Sequence, residues 1–565
     1  MSLGTSKLYK LLLSIITITI LSSCSSKNNV EEKIIKKEEK KTTEIHTLVI
    51  KKKVPKENVI TIKEVIPKKK KIILKTDVKK TNTKLEEKTI KKESISKNYV
   101  ENNTTTNIKV IDKNSSQKIK NKPIKEKEII KEQTSDIRKS AELKKHNLDE
   151  FKFDFIKKGI QDDNTFLIVG GIQGDEPGGF MAASLFSTHY KITKGSVWVV
   201  PNLNFYSIIK RSRGPYGDMN RKFAKLSKKD PEYKIVQRIK KYIRAPEVSL
   251  ILNLHDGSGF YRPMYIDKNH QPRKWGQSSV IDQEVLSGVK RYSDTYNISE
   301  EVVNHLNNHL LKKEDIYRTK NTHTRFKKTY EESEMAKTLT YYAVMNGKSA
   351  FGHETSKSLT VAQRVYYKLL AMEKYMDIMG IKFERKFKLN IKGIKKALND
   401  DISIRFNDTD IKMPLKDIRN IQKYFPINKD GIIKYFPSNP LIKIIKIKNE
   451  YIVYYGNRRL TKLQADYAEH LNFNTKVNFI IDGKQKIVKF GDTVKIKSDF
   501  IVKSTKKYRV NVIGFKSKKG PETDIKISKN KFIKRYSIEK NGNIYRVEFY
   551  KGKKFAGMIL VKYNK

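Results

Sequence analysis

Residues 165–179 read TFLIVGGIQGDEPGG, in which five apolar or β-branched residues run into a glycine-rich turn and then into a helical pattern. A short run of this kind that ends in Gly-Gly is typical of a strand buried on both faces. The pattern from Gly178 to His189 predicts a helix. Three more buried strands and a long helix are predicted further along the chain, at 196–200, 248–254, 348–354 and 361–379. Buried strands that alternate with helices indicate an α/β domain, with a mostly parallel or mixed sheet and helices on both faces.

The composition changes beyond residue 385. Segments rich in Ile, Val, Tyr and Phe alternate with turns such as Asp482-Gly483 and Asn541-Gly542, and these dipeptides are strong hairpin signals between apolar runs. We therefore expect two small β-rich domains after the α/β domain, the second of them a β-sandwich. The predicted boundaries are 148–385 for the α/β domain, 386–470 for the small mixed domain and 471–565 for the sandwich.

The first 24 residues predict export. Lys7 and Lys10 precede an apolar run at 11–21, which is too short to span a bilayer but has the length of a signal-peptide core. The run ends in Leu-Ser-Ser-Cys24, which resembles the lipobox of bacterial lipoproteins, and Cys24 is the only cysteine in the chain. The resemblance implies a lipid anchor at Cys24 and a periplasmic location, with Ser25 favouring the outer membrane over the inner. An ordinary signal peptide with an incidental cysteine is the alternative.

Residues 25–147 are rich in Lys, Glu, Thr and Asn and contain almost no aromatic side chains. Such a segment cannot bury enough apolar surface to offset its chain entropy, so it is predicted to be a disordered tether. Two interpretations stay open, a solvated spacer or a weak electrostatic attachment to anionic wall material.

The charge of the chain raises the question of nucleic acid. The sequence has 119 Lys and Arg against 61 Asp and Glu, a formal net charge of +58. The excess is mostly Lys, whereas Arg binds phosphates and base edges better through the paired hydrogen bonds of its guanidinium group. Lys, Asn and Ile are also frequent throughout, so part of the charge reflects overall composition. We expect no nucleic-acid partner, and a polyanionic surface remains open.

Polar residues follow three of the predicted strands at their carboxyl ends. Gln173 and Glu176 follow the strand at 165–169, His255 follows the strand at 248–254, and Glu354 ends the strand at 348–354. The carboxyl ends of parallel strands share one edge of a sheet, which is where functional groups of such folds usually lie.

This pattern resembles the zinc metallocarboxypeptidases of the carboxypeptidase A type. The resemblance implies that Glu176 and His255 bind zinc and that Glu354 is the general base. Gln173 stands where this family has a His, which departs from the pattern. An amide oxygen is a weaker zinc ligand than imidazole, but three protein donors and an open position remain.

A further segment, RGPYGDMNRKF at 213–223, resembles the substrate-binding string of the same family. The resemblance implies that Arg213 stabilises the oxyanion and that Asn220 and Arg221 hold the terminal carboxylate of the substrate. Arg211 competes with Arg213 for the oxyanion role. No residue matches the family's active-site tyrosine convincingly, and Tyr341 and Tyr342 are candidates by proximity alone.

The Gln for His exchange and the appended β-rich domains resemble the branch that sets cell shape in helical bacteria. That resemblance implies an enzyme that trims the muramyl tripeptide of peptidoglycan to a dipeptide and releases meso-diaminopimelate. Two alternatives stay open. The first is an N-acyl amino acid deacylase on the same scaffold, although those enzymes usually keep the His and are cytoplasmic. The second is a non-catalytic wall-binding lipoprotein.

Each candidate residue also has a structural interpretation. Glu176 would suit a helix N-terminus, His255 a satisfied core position, and Glu354 a buried ion pair. The glycine-rich turn does not fit a phosphate loop, because an acidic pair follows it and no Lys-Ser/Thr does. His305 and His309 have the spacing of a helix-borne zinc pair, but the accompanying Glu is missing, so they are predicted to lie on the surface or at the substrate rim.

Overall fold

A computed structural model of the protein describes residues 148–325, 330–471, 475–515 and 520–564. The predicted signal peptide, the anchor at Cys24 and the tether at 25–147 lie outside these residues. Within the described ranges, no helix combines the length and the apolar character that a membrane crossing needs.

The first part of the chain folds around one large sheet. The strands of this part of the chain are β1 (Ile156–Gly159), β2 (Thr165–Val169), β3 (Tyr190–Lys194), β4 (Ser196–Val200), β5 (Val248–Gly257), β6 (Phe260–Tyr261), β7 (His270–Gln271), β8 (Ser278–Ile281), β9 (Arg318–Asn321), β10 (Ser349–Ser356) and β11 (Lys382–Arg385). The helices are α1 (Pro177–His189), α2 (Phe205–Lys210), α3 (Tyr233–Ile243), α4 (Thr295–Asn307), α5 (Tyr330–Met335), α6 (Leu339–Met345), α7 (Val361–Ile378) and α8 (Ile391–Asn399).

Seven strands form the sheet in the order β1-β4-β2-β5-β10-β8-β9. The neighbouring strands β4, β2, β5 and β10 run parallel, and so do β8 and β9. Strand β1 is antiparallel to β4, and β8 is antiparallel to β10. Alternate residues of β2 enter two cores. Phe166 and Ile168 pack with α1 and α7, whereas Leu167 and Val169 pack with α3 and α6. The predicted mixed α/β sheet with helices on both faces is confirmed.

The turn from β2 into α1 depends on glycine. Gly171 has a φ of 74°, a left-handed conformation that side chains disfavour. A Cβ at Gly178 would lie 2.3 Å from Asp256 Oδ1, so only glycine lets this carboxylate approach the first turn of α1. The turn therefore places the start of α1 directly against the end of β5.

The rest of the described chain is rich in strands. The middle segment contains β12 (Ser403–Phe406), β13 (Lys412–Pro414), β14 (Ile421–Asn428), β15 (Tyr435–Pro437), β16 (Ile442–Ile447), β17 (Glu450–Tyr455) and β18 (Arg458–Ala468). The last segment contains β19 (Lys476–Ile481), β20 (Lys484–Lys489), β21 (Thr493–Ile496), β22 (Asp499–Val502), β23 (Arg509–Val512), β24 (Ile527–Ser528), β25 (Ile544–Lys551) and β26 (Lys554–Tyr563). Its two sheets, β20-β19-β22-β24 and β21-β26-β25-β23, enclose a common apolar core.

The two predicted hairpin turns have different outcomes. Asp482 and Gly483 join β19 to β20, both with positive φ, and this hairpin is confirmed. The hairpin predicted at Asn541-Gly542 is wrong. These residues lead into β25 from a short 3₁₀ turn, and the carboxylate of Glu539 accepts hydrogen bonds from the amides of Gly542 and Asn543 at 2.9 and 2.6 Å.

The domain boundaries stay predictions. Helix α8 lies beyond the boundary drawn at residue 385, and it packs against α1 and α7 of the first part of the chain.

Candidate active site

The strand register brings the predicted catalytic segments to one edge of the sheet. Gln173 and Glu176 lie in the turn between β2 and α1, and His255 lies near the end of β5. Glu354 of β10 is the direct neighbour of His255 in the parallel ladder. Motifs that lie far apart in the sequence are therefore neighbours at this edge of the sheet.

Three donor atoms converge at this edge. His255 Nδ1 lies 3.0 Å from Glu176 Oε2 and 3.1 Å from Gln173 Oε1, and all three side chains are buried. Donors of a tetrahedral ion with ligand bonds of about 2.0–2.1 Å are roughly 3.3 Å apart, so this set fits a metal ion. Within the described ranges, no three His, Cys, Asp or Glu side chains are grouped so that they could hold a metal. The present set differs from such a group because its third donor is the amide of Gln173.

Asp218 orients Gln173. The Gln173 Nε2 amide donates to Asp218 Oδ1 at 2.7 Å, which directs the amide oxygen toward His255. Asp218 is itself held by the Nε of Arg213 at 3.0 Å and by the backbone amide of Asn220 at 2.9 Å. Loss of a partner that orients a metal ligand in this way typically costs about 10–100-fold in metal affinity, so Asp218 would matter if Gln173 binds a metal.

The other ring nitrogen of His255 faces Asn253. His255 Nε2 lies 2.8 Å from Asn253 Nδ2, while no described donor reaches Asn253 Oδ1. Amide oxygen and nitrogen are nearly interchangeable in shape, so a rotated Asn253 accepts from Nε2–H and leaves the lone pair on Nδ1. Burial opposes a charged His255, but the hydrogen bond and charge of Glu176 outweigh it and raise the pKa of the ring.

Glu354 has the environment of a general base. The residue is partly buried in the cavity wall, and its Oε2 is shielded from solvent and has no hydrogen-bond partner among the described residues. Burial raises the pKa of Glu354 to about 7, against the lowering effect of His255. A carboxyl group that titrates near neutral pH exchanges a proton readily in both directions.

All seven predicted catalytic, substrate-binding and metal-binding residues line one cavity of about 210 Å³: Gln173, Glu176, Arg213, Asn220, Arg221, His255 and Glu354. Their roles stay predictions.

The proposed substrate-binding groups are held at the wall of this cavity. Arg213 Nη1 lies 3.3 Å from Glu176 Oε1. Asn220 Oδ1 accepts the amide of Leu339 at 3.0 Å, which ties the 3₁₀ turn at 219–221 to the start of α6. The Arg221 guanidinium lies 3.4 Å from Glu334 Oε2 and is only partly buried, so it is free to exchange this partner for a substrate carboxylate.

A buried ionic cluster beneath the site escaped the sequence interpretation. Asp256 Oδ2 accepts from Arg364 Nη1 at 2.6 Å and from the Gly178 amide at 2.8 Å, and Asp256 Oδ1 lies 3.1 Å from Lys368 Nζ. Burial alone would raise the pKa of Asp256, but the two cations lower it.

This cluster connects the two segments that carry the predicted metal donors. Lys368 Nζ donates to the backbone oxygen of His255 at 2.5 Å, and the Asp256 amide donates to Glu176 Oε2 at 3.0 Å. A charged helix residue 113 positions after His255 gives no local signal of this contact. Only the aspartate directly after the histidine, inside an apolar strand, hinted at it.

The competing candidates lie elsewhere. Arg211 has a φ of 53° and donates to the backbone oxygen of Asn457, and it does not line the cavity. Neither Tyr341 nor Tyr342 lines it, and Thr338, Thr340, Met335 and Trp275 form that part of the wall instead. His305 and His309 face each other at a ring distance of 4.6 Å near the end of α4, also away from the cavity wall.

Comparison with known proteins adds a family. The model of a carboxypeptidase controlling helical cell shape, catalytic domain, matches residues 150–399, and the model of a C-terminal domain of metallo-carboxypeptidases matches residues 471–564. No curated protein sequence matches the chain significantly.

Among solved structures, the chain is similar to the cell shape determinant protein Csd4 from Helicobacter pylori. The apo and tripeptide-bound forms are each 38% identical, with a TM-score of 0.67, over 73% of this chain and 100% of theirs. The mDAP-bound form, described as a D,L-carboxypeptidase, is 38% identical with a TM-score of 0.67, over 72% of this chain and 100% of that one.

Proposed function

Since the chain belongs to the family of metallocarboxypeptidases that control helical cell shape, we propose that it removes meso-diaminopimelate from the muramyl tripeptide of peptidoglycan and leaves a dipeptide. The observation that carries this proposal is the convergence of Gln173, Glu176, His255 and Glu354 at one cavity that also contains Asn220 and Arg221. The similar Csd4 structures hold a tripeptide and mDAP, which are the matching substrate and product classes.

We propose zinc as the metal. An imidazole nitrogen, a carboxylate and an amide oxygen form a mixed donor set with room for a fourth position, as catalytic zinc sites have. Zinc held by Gln173, Glu176 and His255 would supply Lewis acidity to the scissile carbonyl and to the attacking water.

The chain's own residues supply the remaining chemistry. Glu354 takes a proton from the attacking water and passes it to the leaving amine, a role that its pKa of about 7 suits. Arg213, beside Glu176, faces the oxygen on which negative charge develops. Arg221 exchanges Glu334 for the terminal carboxylate of the substrate in a bidentate pair, and Asn220 completes this clamp. A clamp on a free carboxylate restricts cleavage to the last peptide bond.

A substrate panel tests this proposal. The zinc-loaded protein is incubated with muramyl tripeptide, tetrapeptide and pentapeptide and with an N-acyl amino acid, and released amino acids are identified by mass spectrometry. We expect diaminopimelate from the tripeptide alone, loss of this activity with a chelator, and recovery on addition of zinc.

Two results would contradict the proposal. One is the absence of diaminopimelate release from the tripeptide by zinc-loaded protein, and the other is a Glu354→Gln variant that equals the wild type. Release from the N-acyl amino acid instead would identify a deacylase.

We further propose that the enzyme is periplasmic and anchored through lipid at Cys24, on the strength of its lipobox-like sequence. Radiolabelled palmitate should enter the wild type and not a Cys24→Ala variant, and the variant should move from the membrane fraction to the soluble periplasmic fraction. Equal labelling of both would refute the anchor.

A further inference from the structure

Positive charge is concentrated in the C-terminal sandwich. Residues 471–565 contain 25 Lys and Arg against 7 Asp and Glu, a net charge of +18 over 95 residues. Residues 148–385 contain 39 against 27, a net charge of +12 over 238 residues. A general compositional bias acts on both segments alike, so it does not explain a charge per residue that is almost four times higher in the sandwich.

The acids of this segment are already engaged. Each accepts a backbone amide or faces a cation, and together they are Asp482, Asp492, Asp499, Glu522, Asp524, Glu539 and Glu548. Within the described part of this segment, only Lys503, Lys526, Lys554 and Arg546 form ion pairs with a carboxylate. Most of the cations therefore face solvent without a counter-charge.

One face of the sandwich is open. The sheet β21-β26-β25-β23 buries its outer residues Tyr550, Phe555 and Met558 in the core that it shares with the middle segment. The other sheet shows no such cover within the described residues, since Lys476 and Asn478 point outward from β19 and are exposed. The β19–β20 hairpin thus forms the free side of the C-terminal domain.

Four lysines of this hairpin, Lys476, Lys484, Lys486 and Lys489, have no carboxylate within 4 Å of their side-chain amines in the described structure; we call them the hairpin lysines. Two of them lie on the outer face of the sheet, whereas Lys484 and Lys486 lie on the opposite face, where the edge strand β20 is exposed. Lys476 and Lys489 are direct cross-strand partners. Like charges in this position destabilise a sheet, so folding gives no reason for the pair. Edge protection explains lysines on β20 but does not explain Lys476 on the inner strand β19.

We propose that the hairpin lysines dock the carboxylate-rich peptide stems of peptidoglycan, so that the sandwich holds the polymer while the cavity trims a stem. This inference rests on the proposed function. A stem that ends in diaminopimelate carries more carboxylates than amines, and so does the trimmed stem. The single charges of lysine suit separate carboxylates. The hairpin has no arginine, whose planar guanidinium binds phosphate through paired hydrogen bonds. Several weak contacts to a repeating polymer add up to useful avidity.

The test measures co-sedimentation of the full-length protein with isolated sacculi over a range of salt concentrations. A variant with all four hairpin lysines changed to Gln is compared with a control that changes Lys534, Lys540, Lys551 and Lys553, which are exposed lysines of the same domain. We expect at least tenfold weaker binding for the hairpin variant, less than twofold for the control, and steep weakening of wild-type binding with salt. Turnover of the soluble tripeptide should be unchanged in both variants.

Unchanged binding of the hairpin variant would overturn the proposal, and the lysines would then serve only to protect a strand edge. Equal losses in both variants would overturn it as well, because they would reveal nonspecific attraction. Hairpin-dependent binding to phosphatidylglycerol vesicles that matches or exceeds binding to sacculi would show that the hairpin lysines bind a membrane. That result would refute peptide stems as their partner. Loss of tripeptide turnover in the wild type would refute the proposed function separately, since sacculus binding is measured without it.

Discussion

The active-site edge of the large sheet and the β19–β20 hairpin both concentrate charge, but in opposite ways. Under the site, Asp256, Arg364 and Lys368 are buried, and each charge has a partner. On the hairpin, three of the four lysines are exposed and Lys489 is partly buried, and none has a carboxylate within 4 Å of its amine in the described structure. Breaking a buried pair leaves an uncompensated charge in the interior, whereas exposed charges contribute little to stability. The contrast indicates that buried charges here position the backbone, and it agrees with our proposal that the exposed ones serve association.

The largest effect should come from the buried cluster. Asp256→Ala leaves Lys368 and Arg364 buried without a counter-charge, so we expect a loss of about 3–5 kcal/mol in the free energy of unfolding. Asp163→Ala removes the exposed partner of Arg291 and should cost about 1 kcal/mol or less. Urea denaturation of the metal-free variants measures both. Similar costs for the two would erase the contrast between buried and exposed charge.

Glu354→Gln should separate activity from stability. Without the base, turnover of the tripeptide should fall by about 10²–10⁴-fold. The folded protein raises the pKa of Glu354 from 4.5 to about 7, so the fold favours the neutral form, and wild-type stability declines as pH rises through this range. The variant has no such decline. We therefore expect the metal-free variant to match the wild type at pH 4 and to exceed it at pH 8 in thermal unfolding. A variant less stable than the wild type at pH 8 would contradict the assignment.

Asp218→Ala tests the orienting hydrogen bond to Gln173. Freed from Asp218, the amide rotates, and its oxygen no longer points steadily at His255. We expect metal retention to weaken by about 10–100-fold, read as zinc loss to a chelator followed by mass spectrometry. Unaltered retention would show that Gln173 needs no positioning.

The smallest effect should appear on the hairpin. Lys476→Gln removes the repulsion with Lys489, and we expect a gain of about 0.2–0.5 kcal/mol in unfolding free energy at low salt that vanishes at high salt. Paired urea titrations at the two salt concentrations measure it. A destabilised variant would mean that Lys476 contributes to the fold itself.

Local patterns predicted the fold class and the family, and both are confirmed. The apolar run at Phe166 to Val169 and the glycines after it carry strand, turn and helix signals within a few residues of each other. The proposed metal donors follow from the same runs, because each lies at or just beyond the carboxyl end of a strand.

Contacts between residues far apart in the sequence gave no local sequence signal. Lys368 lies within the helix α7, whose sequence gives no sign that its amine reaches the backbone of β5. The Asn541-Gly542 hairpin failed because a dipeptide does not reveal whether a strand precedes it. The rotation of Arg211 toward Asn457 depends on a left-handed residue at the end of α2, which charge and spacing alone do not predict.

The bare backbone at Gly178 has a consequence for protein engineering. The space that a methyl group would need is filled by Asp256 Oδ1, and the same glycine is the second residue of the helix that follows Glu176. A library randomised at this codon should return glycine alone among active clones. A larger side chain at this position would have to displace Asp256, so an engineer cannot alter this turn without also disturbing the ionic cluster.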